Sequence, residues 1–79
     1  MWHEGTIGIP LKDSKYIAVH YWVKVHTARS PYGIDGGRII KLSLKQDGEY
    51  VANYDRGWDI HPTTKAAEAA YRVLLFRYN

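Results

Sequence analysis

The chain has 79 residues, which is enough for one domain (1–79) and too few for two. It contains no cysteine, which excludes disulfides, thiolate metal sites and a cysteine nucleophile, and its net charge is a mild +3. No stretch approaches the roughly 20 apolar residues of a membrane span, and "MWHEGTIGIP" lacks the basic start and apolar run of a signal peptide, so a cytoplasmic protein without a membrane partner is expected.

Taken in chain order, "WHEGTIGIP" reads as a short strand ended by Pro10, which cannot donate to a ladder, with "LKDSK" as a hairpin loop after it. Lys15 to Thr27, "KYIAVHYWVKVHT", is the clearest strand. It is rich in β-branched and aromatic residues and alternates with period two. Ile17, Val19, Tyr21, Val23 and Val25 fall on one face; Tyr16, Ala18, His20, Trp22, Lys24 and His26 fall on the other. The first set is core, and the second mixes rings with cations.

"ARSPYGIDGG" follows, with Pro31, Gly33, Gly36 and Gly37 marking an irregular loop. So long a loop in so small a domain is more often functional or mobile than idle. "RIIKLSLKQDGEYVANYD" then has the signature of a hairpin turning at Asp47-Gly48. Two registers are open: a two-residue turn, and a three-residue turn with Gly48 as a left-handed bulge. The second is preferred because it places Ile40, Leu42, Leu44, Tyr50, Ala52 and Tyr54 on one face and sets Lys45 opposite Glu49. Lys41, Ser43 and Lys45 then share the opposite face.

"HPTTKAAEAAYRVLLFRYN" reads as a helix capped by Thr63 or Thr64, with Arg77 near its C-terminal dipole. The expected fold is α+β: a three- or four-stranded antiparallel meander with one C-terminal helix packed across its apolar face.

Between the last expected strand and the helix lies "YDRGWD". Tyr54, Asp55, Arg56, Gly57, Trp58 and Asp59 are read as a structural corner. Gly57 would take a positive φ, Trp58 would plug the core beneath the helix, and Arg56 would pair with Asp55 or Asp59. Two carboxylates at this spacing in a turn do not define an acid–base pair, and no catalytic residue is assigned. The four histidines lack metal-ligand spacing, and "GIDGGR" feeds a strand where a phosphate loop would feed a helix. Neither a metal nor a cofactor is expected.

One helix cannot cover both faces of a sheet, which leaves Tyr16, His20, Trp22, Lys24, Lys41 and Lys45 toward solvent or a partner. Rings interleaved with lysines suit base stacking plus phosphate neutralisation, and Arg29 and Arg38 at the ends of the glycine-rich loop can touch phosphates as well. Residues 1–45 carry seven Lys/Arg against three Asp/Glu, which favours an anionic partner for this half. The reading is a non-enzymatic binding module that contacts nucleic acid through this face. The alternative is a protein-interaction or homodimerisation module anchored on Trp22.

"EGTI", "PYGIDGGRIIKL", "YDRGWD" and the closing alanine-rich helix together resemble a small uncharacterised protein family of prophages and conjugative elements in Gram-positive bacteria. The resemblance spans nearly the whole chain and carries no catalytic residues to transfer. It implies a mobile-element setting.

Overall fold

In the computed structural model, which describes all 79 residues, the alternating first half of the chain forms two long paired strands. β1 (Trp2–Pro10) and β2 (Tyr16–Val25) run antiparallel, joined through a 3-10 turn at Lys12–Ser14, and their register is unbroken from Trp2↔Lys24 to Pro10↔Tyr16. β3 (Ile39–Gln46), β4 (Glu49–Asp55) and β5 (Trp58–Ile60) complete an antiparallel sheet in the order β1-β2-β3-β4-β5. The sheet therefore has five strands, where three or four were expected. "YDRGWD" is where the count changes: it turns the chain tightly back, so that Trp58 pairs with Tyr54 as part of a further strand.

α1 (Lys65–Tyr78) packs on one face of the sheet against β1, β2 and β3. Thr64 caps it, its hydroxyl accepting the Ala67 N–H at 2.9 Å. Ala66, Ala67, Ala70 and Leu74 are buried; the three small alanines let the helix backbone approach the sheet closely, and Leu74 fills the core beside them. Beneath them lie Val19, Val23, Leu42 and Leu44, all fully buried. No helix is long and apolar enough to cross a membrane.

Of three register shifts in the sheet, those in the β2–β3 and β3–β4 ladders adjust the faces of the central strands. The Asp47-Gly48 turn has two residues, both at positive φ, in place of the preferred three-residue form; Gln46, not Lys45, therefore pairs with Glu49, and this tight turn matches the twist of the strands. One residue is then inserted in β4, so that Leu44 pairs with Ala52 and Leu42 with Tyr54. Ala52 and Tyr54 reach the core as expected. Tyr50 does not: pairing with Lys45, it stands exposed on the opposite side of the sheet. A second bulge, where Val25 pairs with Ile39 and Lys24 with Lys41, sends Ile39 into the core in place of Ile40. Ile40 is buried outside the main cluster, beside His26, Tyr32 and Arg56.

The glycine-rich loop is tied down at several points. Ile34 is buried, and its carbonyl accepts the Asn79 side-chain amide at 3.0 Å. The Asn79 carbonyl oxygen in turn accepts the Ile39 N–H at 2.9 Å, so one side chain joins the end of α1 to the loop and to β3. The Tyr54 hydroxyl donates to the Tyr32 carbonyl at 2.8 Å. Gly33 and Gly37 are small of necessity: a Cβ on the first would collide with the Gly37 backbone, and one on the second with the Asn79 side chain.

In "YDRGWD" it is Arg56, with φ 58°, that takes the left-handed conformation; Gly57 does not, and a Cβ on it would meet open space. Arg56 leaves both aspartates alone and lies over the Tyr32 ring, 5.7 Å from its centroid. Asp55 instead faces Lys41 at 3.7 Å, and Asp59 accepts from the Asn53 amide at 3.4 Å. Trp58 is half-buried at the margin of the core rather than plugged beneath the helix. It meets Tyr54 and Tyr71 edge-on at 5.1 and 5.3 Å and stacks on His61 at 4.8 Å.

These contacts set an order of sensitivities that denaturant melts will check. Gly57→Ala should change stability by less than about 0.5 kcal/mol. Asn79→Ala should cost about 1–3 kcal/mol, because it strands the partly buried Ile39 N–H and removes one of the two bonds to the Ile34 carbonyl, which keeps the Gly37 N–H. Trp58→Ala should cost about 2–3 kcal/mol, below the roughly 3–5 kcal/mol of a fully buried large aromatic because the ring is only half-buried, and leave a folded protein. A Gly57→Ala loss above that of Asn79→Ala would contradict the geometry of both sites.

Candidate ligand-binding face

The face of the sheet opposite α1 is built by the even-numbered residues of β1 and β2 and their register partners. Trp2, Glu4 and Thr6 of β1 lie beside Lys24, Trp22 and His20 of β2. Next come Lys41, Ser43 and Lys45 of β3, then Asp55, Asn53 and Tyr50 of β4. An open hollow of about 570 Å³ lies in the middle, lined by Trp2, His3, Glu4, Trp22, Ser43 and Tyr50. Ser43, Tyr50, Asn53, Asp59 and Ile60 continue it as a second hollow toward β5.

Three rings form the walls. Trp22 is half-buried, tilted against His20 at 4.4 Å and facing Tyr50 at 6.4 Å. Trp2 and Tyr50 are each 55% exposed. Lysines sit over the two exposed rings: Lys24 Nζ lies 6.0 Å from the Trp2 centroid and Lys45 Nζ 5.0 Å from that of Tyr50. A cation over a ring is weakly held at such exposed positions, so both ammonium groups remain free to meet an anion.

His20 ties the two strands together on this side. Its Nε2 is 2.8 Å from the Glu4 carboxylate and its Nδ1 is 3.0 Å from the Thr6 hydroxyl. Acid, imidazole and hydroxyl thus form a chain, but one open to water, where such a pair contributes under about 1 kcal/mol. Its mechanical effect is to orient Glu4 and Thr6 along β1. Ser43 and Asn53 are linked similarly, hydroxyl to amide oxygen at 2.9 Å.

Charge on this face is balanced and unevenly spread. Lys24, Lys41 and Lys45 stand against Glu4, Asp55 and Asp59. Beyond Lys24 and Lys41 the sheet meets a third hollow, lined by His26, Ser30, Tyr32, Ile40 and Arg56. Arg38 lies alongside, its Nε donating to the His26 carbonyl at 2.9 Å. Cations therefore gather at that end, with Asp55 as their nearest acid.

His20, Trp22, Lys24, Lys41 and Lys45 are brought together as the alternation implied. Tyr16 is on the same side but at the far end of β2, six residues or roughly 20 Å from Trp22, lying over Gly8. Arg29 is exposed in the β2–β3 connection, away from the strands. Trp2, Glu4 and Asn53 were not singled out, Tyr50 was expected on the core face, and Asp59 was read only as part of the corner. The first two were legible once "WHEGTIGIP" is paired with β2; Tyr50 arrives only through the β4 bulge.

Two phenols on the helix side titrate above their ordinary range. Burial raises Tyr21, with the neighbouring Tyr78 adding to it, and burial raises Tyr71, with the Asp35 charge adding to it. Nowhere do three or more His, Asp or Glu side chains converge as a metal site would require.

Neither the curated proteins nor the solved structures contain a match to this chain. One family does match, over residues 1–79: it is described as "Domain of unknown function (DUF7678)", and the chain belongs to it.

Proposed function

We propose that the protein is a small, non-enzymatic cytoplasmic module that binds single-stranded nucleic acid across its open sheet face. The observation that carries this reading is the hollow walled by Trp2, Trp22 and Tyr50, with Lys24 and Lys45 at its rim. Flat rings on a shallow floor suit unpaired bases, which present a π-face whatever their sequence. Ser43, Asn53 and Asp59 offer hydrogen bonds to base edges beside the stacked rings. The cationic end formed by Lys24, Lys41, Arg38 and Arg56 suits the phosphates that follow.

Balanced charge on the rest of the face favours a single strand over a duplex. A rigid duplex presents phosphates first and keeps its bases stacked inside, so it would meet Glu4 and Asp59 with little to offset them. A mobile-element setting, which the sequence resemblance implies, is compatible with single strands as ligands.

Titration of a labelled oligonucleotide by fluorescence anisotropy at two salt concentrations tests this. Affinity should fall with salt at a slope of about −1.5 to −3, corresponding to two to four phosphates on a single strand. Trp22→Ala should cost about 1–3 kcal/mol with the slope unchanged, because it removes stacking. Lys41→Ala combined with Arg56→Ala should reduce the slope by about 1 or more. No binding at low salt, or equal binding by Trp22→Ala, would remove the reading.

A further inference from the structure

β1 is a terminal strand of the sheet, nine residues long, with no bulge in its register. Its hydrogen bonding has a definite sense. Met1 and Val25 exchange both main-chain bonds, the Val25 N–H to Met1 at 2.9 Å and the Met1 amine to Val25 at 2.8 Å. At the other end Leu11 donates to Lys15 at 2.7 Å. Antiparallel bonding alternates along a strand, so the odd-numbered residues of β1 bond to β2. Trp2, Glu4, Thr6 and Gly8 therefore point their N–H and C=O groups away from the sheet. No hydrogen bond outside the ladder uses any of these groups.

A long, regular edge with free donors and acceptors is a template for another strand, and proteins usually blunt such edges with lysines, prolines or bulges. Here Glu4 is the strand's one acidic or basic residue at an outward position, and Pro10 comes only at its end. We infer that β1 pairs with β1 of a second copy, antiparallel about a two-fold axis, and joins two sheets into one of ten strands. This inference does not depend on the nucleic-acid reading.

The register follows from the side chains. Outward-pointing residues must face each other, so even-numbered positions pair with even-numbered ones. An axis at Glu4 would set two Glu4 carboxylates directly opposite, which is unfavourable. An axis at Thr6 would set Trp2 against Pro10, which has no N–H, and leave the Trp2 carbonyl unpaired. An axis at Gly5 pairs Trp2 with Gly8 and Glu4 with Thr6, and every outward N–H and C=O of those residues finds a partner. It also lays the exposed Trp2 ring over Gly8 of the second copy, where the 70% exposed Tyr16 ring already rests. A large ring across from a glycine is a favourable cross-strand arrangement.

The pairing keeps both helices on one side and both open faces on the other. Because it rests on main-chain bonds and two Trp2 rings over a modest area, it should be weak and reversible, with a dissociation constant of about 10–100 μM.

Sedimentation velocity from about 10 μM to about 1 mM, a range spanning that constant, should show a monomer passing into a dimer. Gly8→Pro removes one outward N–H at each end of the interface while sparing the odd-numbered amides that hold β1 to β2. It should sediment as a monomer throughout, with a circular dichroism spectrum like the wild type. On the unaltered protein, hydrogen exchange at the amides of Trp2, Glu4, Thr6 and Gly8 should slow as concentration rises, which keeps the test informative should the proline variant unfold. A strict monomer at the highest concentration would overturn the inference. So would a dimer in which those amides exchange as fast as in the monomer.

Discussion

Side chains alternate along a strand, so every strand of this sheet divides its residues between a face that α1 covers and a face that nothing covers. A slip of one residue anywhere would carry valines and leucines to water and lysines under the helix. β2 meets this constraint without correction: Val19, Tyr21, Val23 and Val25 are buried, while His20, Trp22 and Lys24 stand on the other side. β3 and β4 meet it with one inserted residue each. The bulge at Ile39–Ile40 restores parity after the long connection, and the bulge beside Val51 restores it after the two-residue turn. The composition of the open face is the remainder of this sorting.

The first four strands, the place of the Asp-Gly turn, and the helix with a threonine cap were legible from local chemistry, because each depends on residues close in sequence; the form of that turn, two residues where three were preferred, and the fifth strand were not. What was not legible depends on the bulges and on contacts between distant segments. Tyr50 looked like a core residue because a simple alternation from Leu44 puts it there; the inserted residue sends it to join Trp22 instead. Arg56 and Gly57 exchanged roles for a similar reason. Glycine is the usual occupant of positive φ, but here the hairpin places Arg56 in that conformation, where its N–H donates to the Ile40 carbonyl at 3.1 Å and its guanidinium covers Tyr32. No pattern within six residues contains either partner.

The loop from His26 to Arg38 is the clearest case of a segment whose composition suggested mobility and whose contacts supply order. Asn79 bonds to it from forty residues or more away in sequence, and Tyr54 bonds to it from the middle of the sheet. Its anchoring has a consequence for the open face: the backbone bonds of Tyr32 and Arg56 and the Arg38 bond to His26 set these residues at the same end of the sheet as Lys41. The rings are similarly braced, Trp22 by His20 and His20 by Glu4 and Thr6. On the proposed reading, bracing of this kind lowers the cost of ordering the rings on binding, and the proposed pairing through β1 would double the surface without moving any strand.

The three tryptophans provide an internal control for one-faced binding, since Trp2 and Trp22 lie on the open side and Trp58 packs against Tyr54 and Tyr71 on the helix side. Their indole N–H signals can be followed by nuclear magnetic resonance during titration with a short single-stranded oligonucleotide. The Trp2 and Trp22 signals should move together and saturate, while that of Trp58 stays in place. A shift confined to Trp58, or no shift in any of the three, would contradict a ligand site on the face opposite the helix.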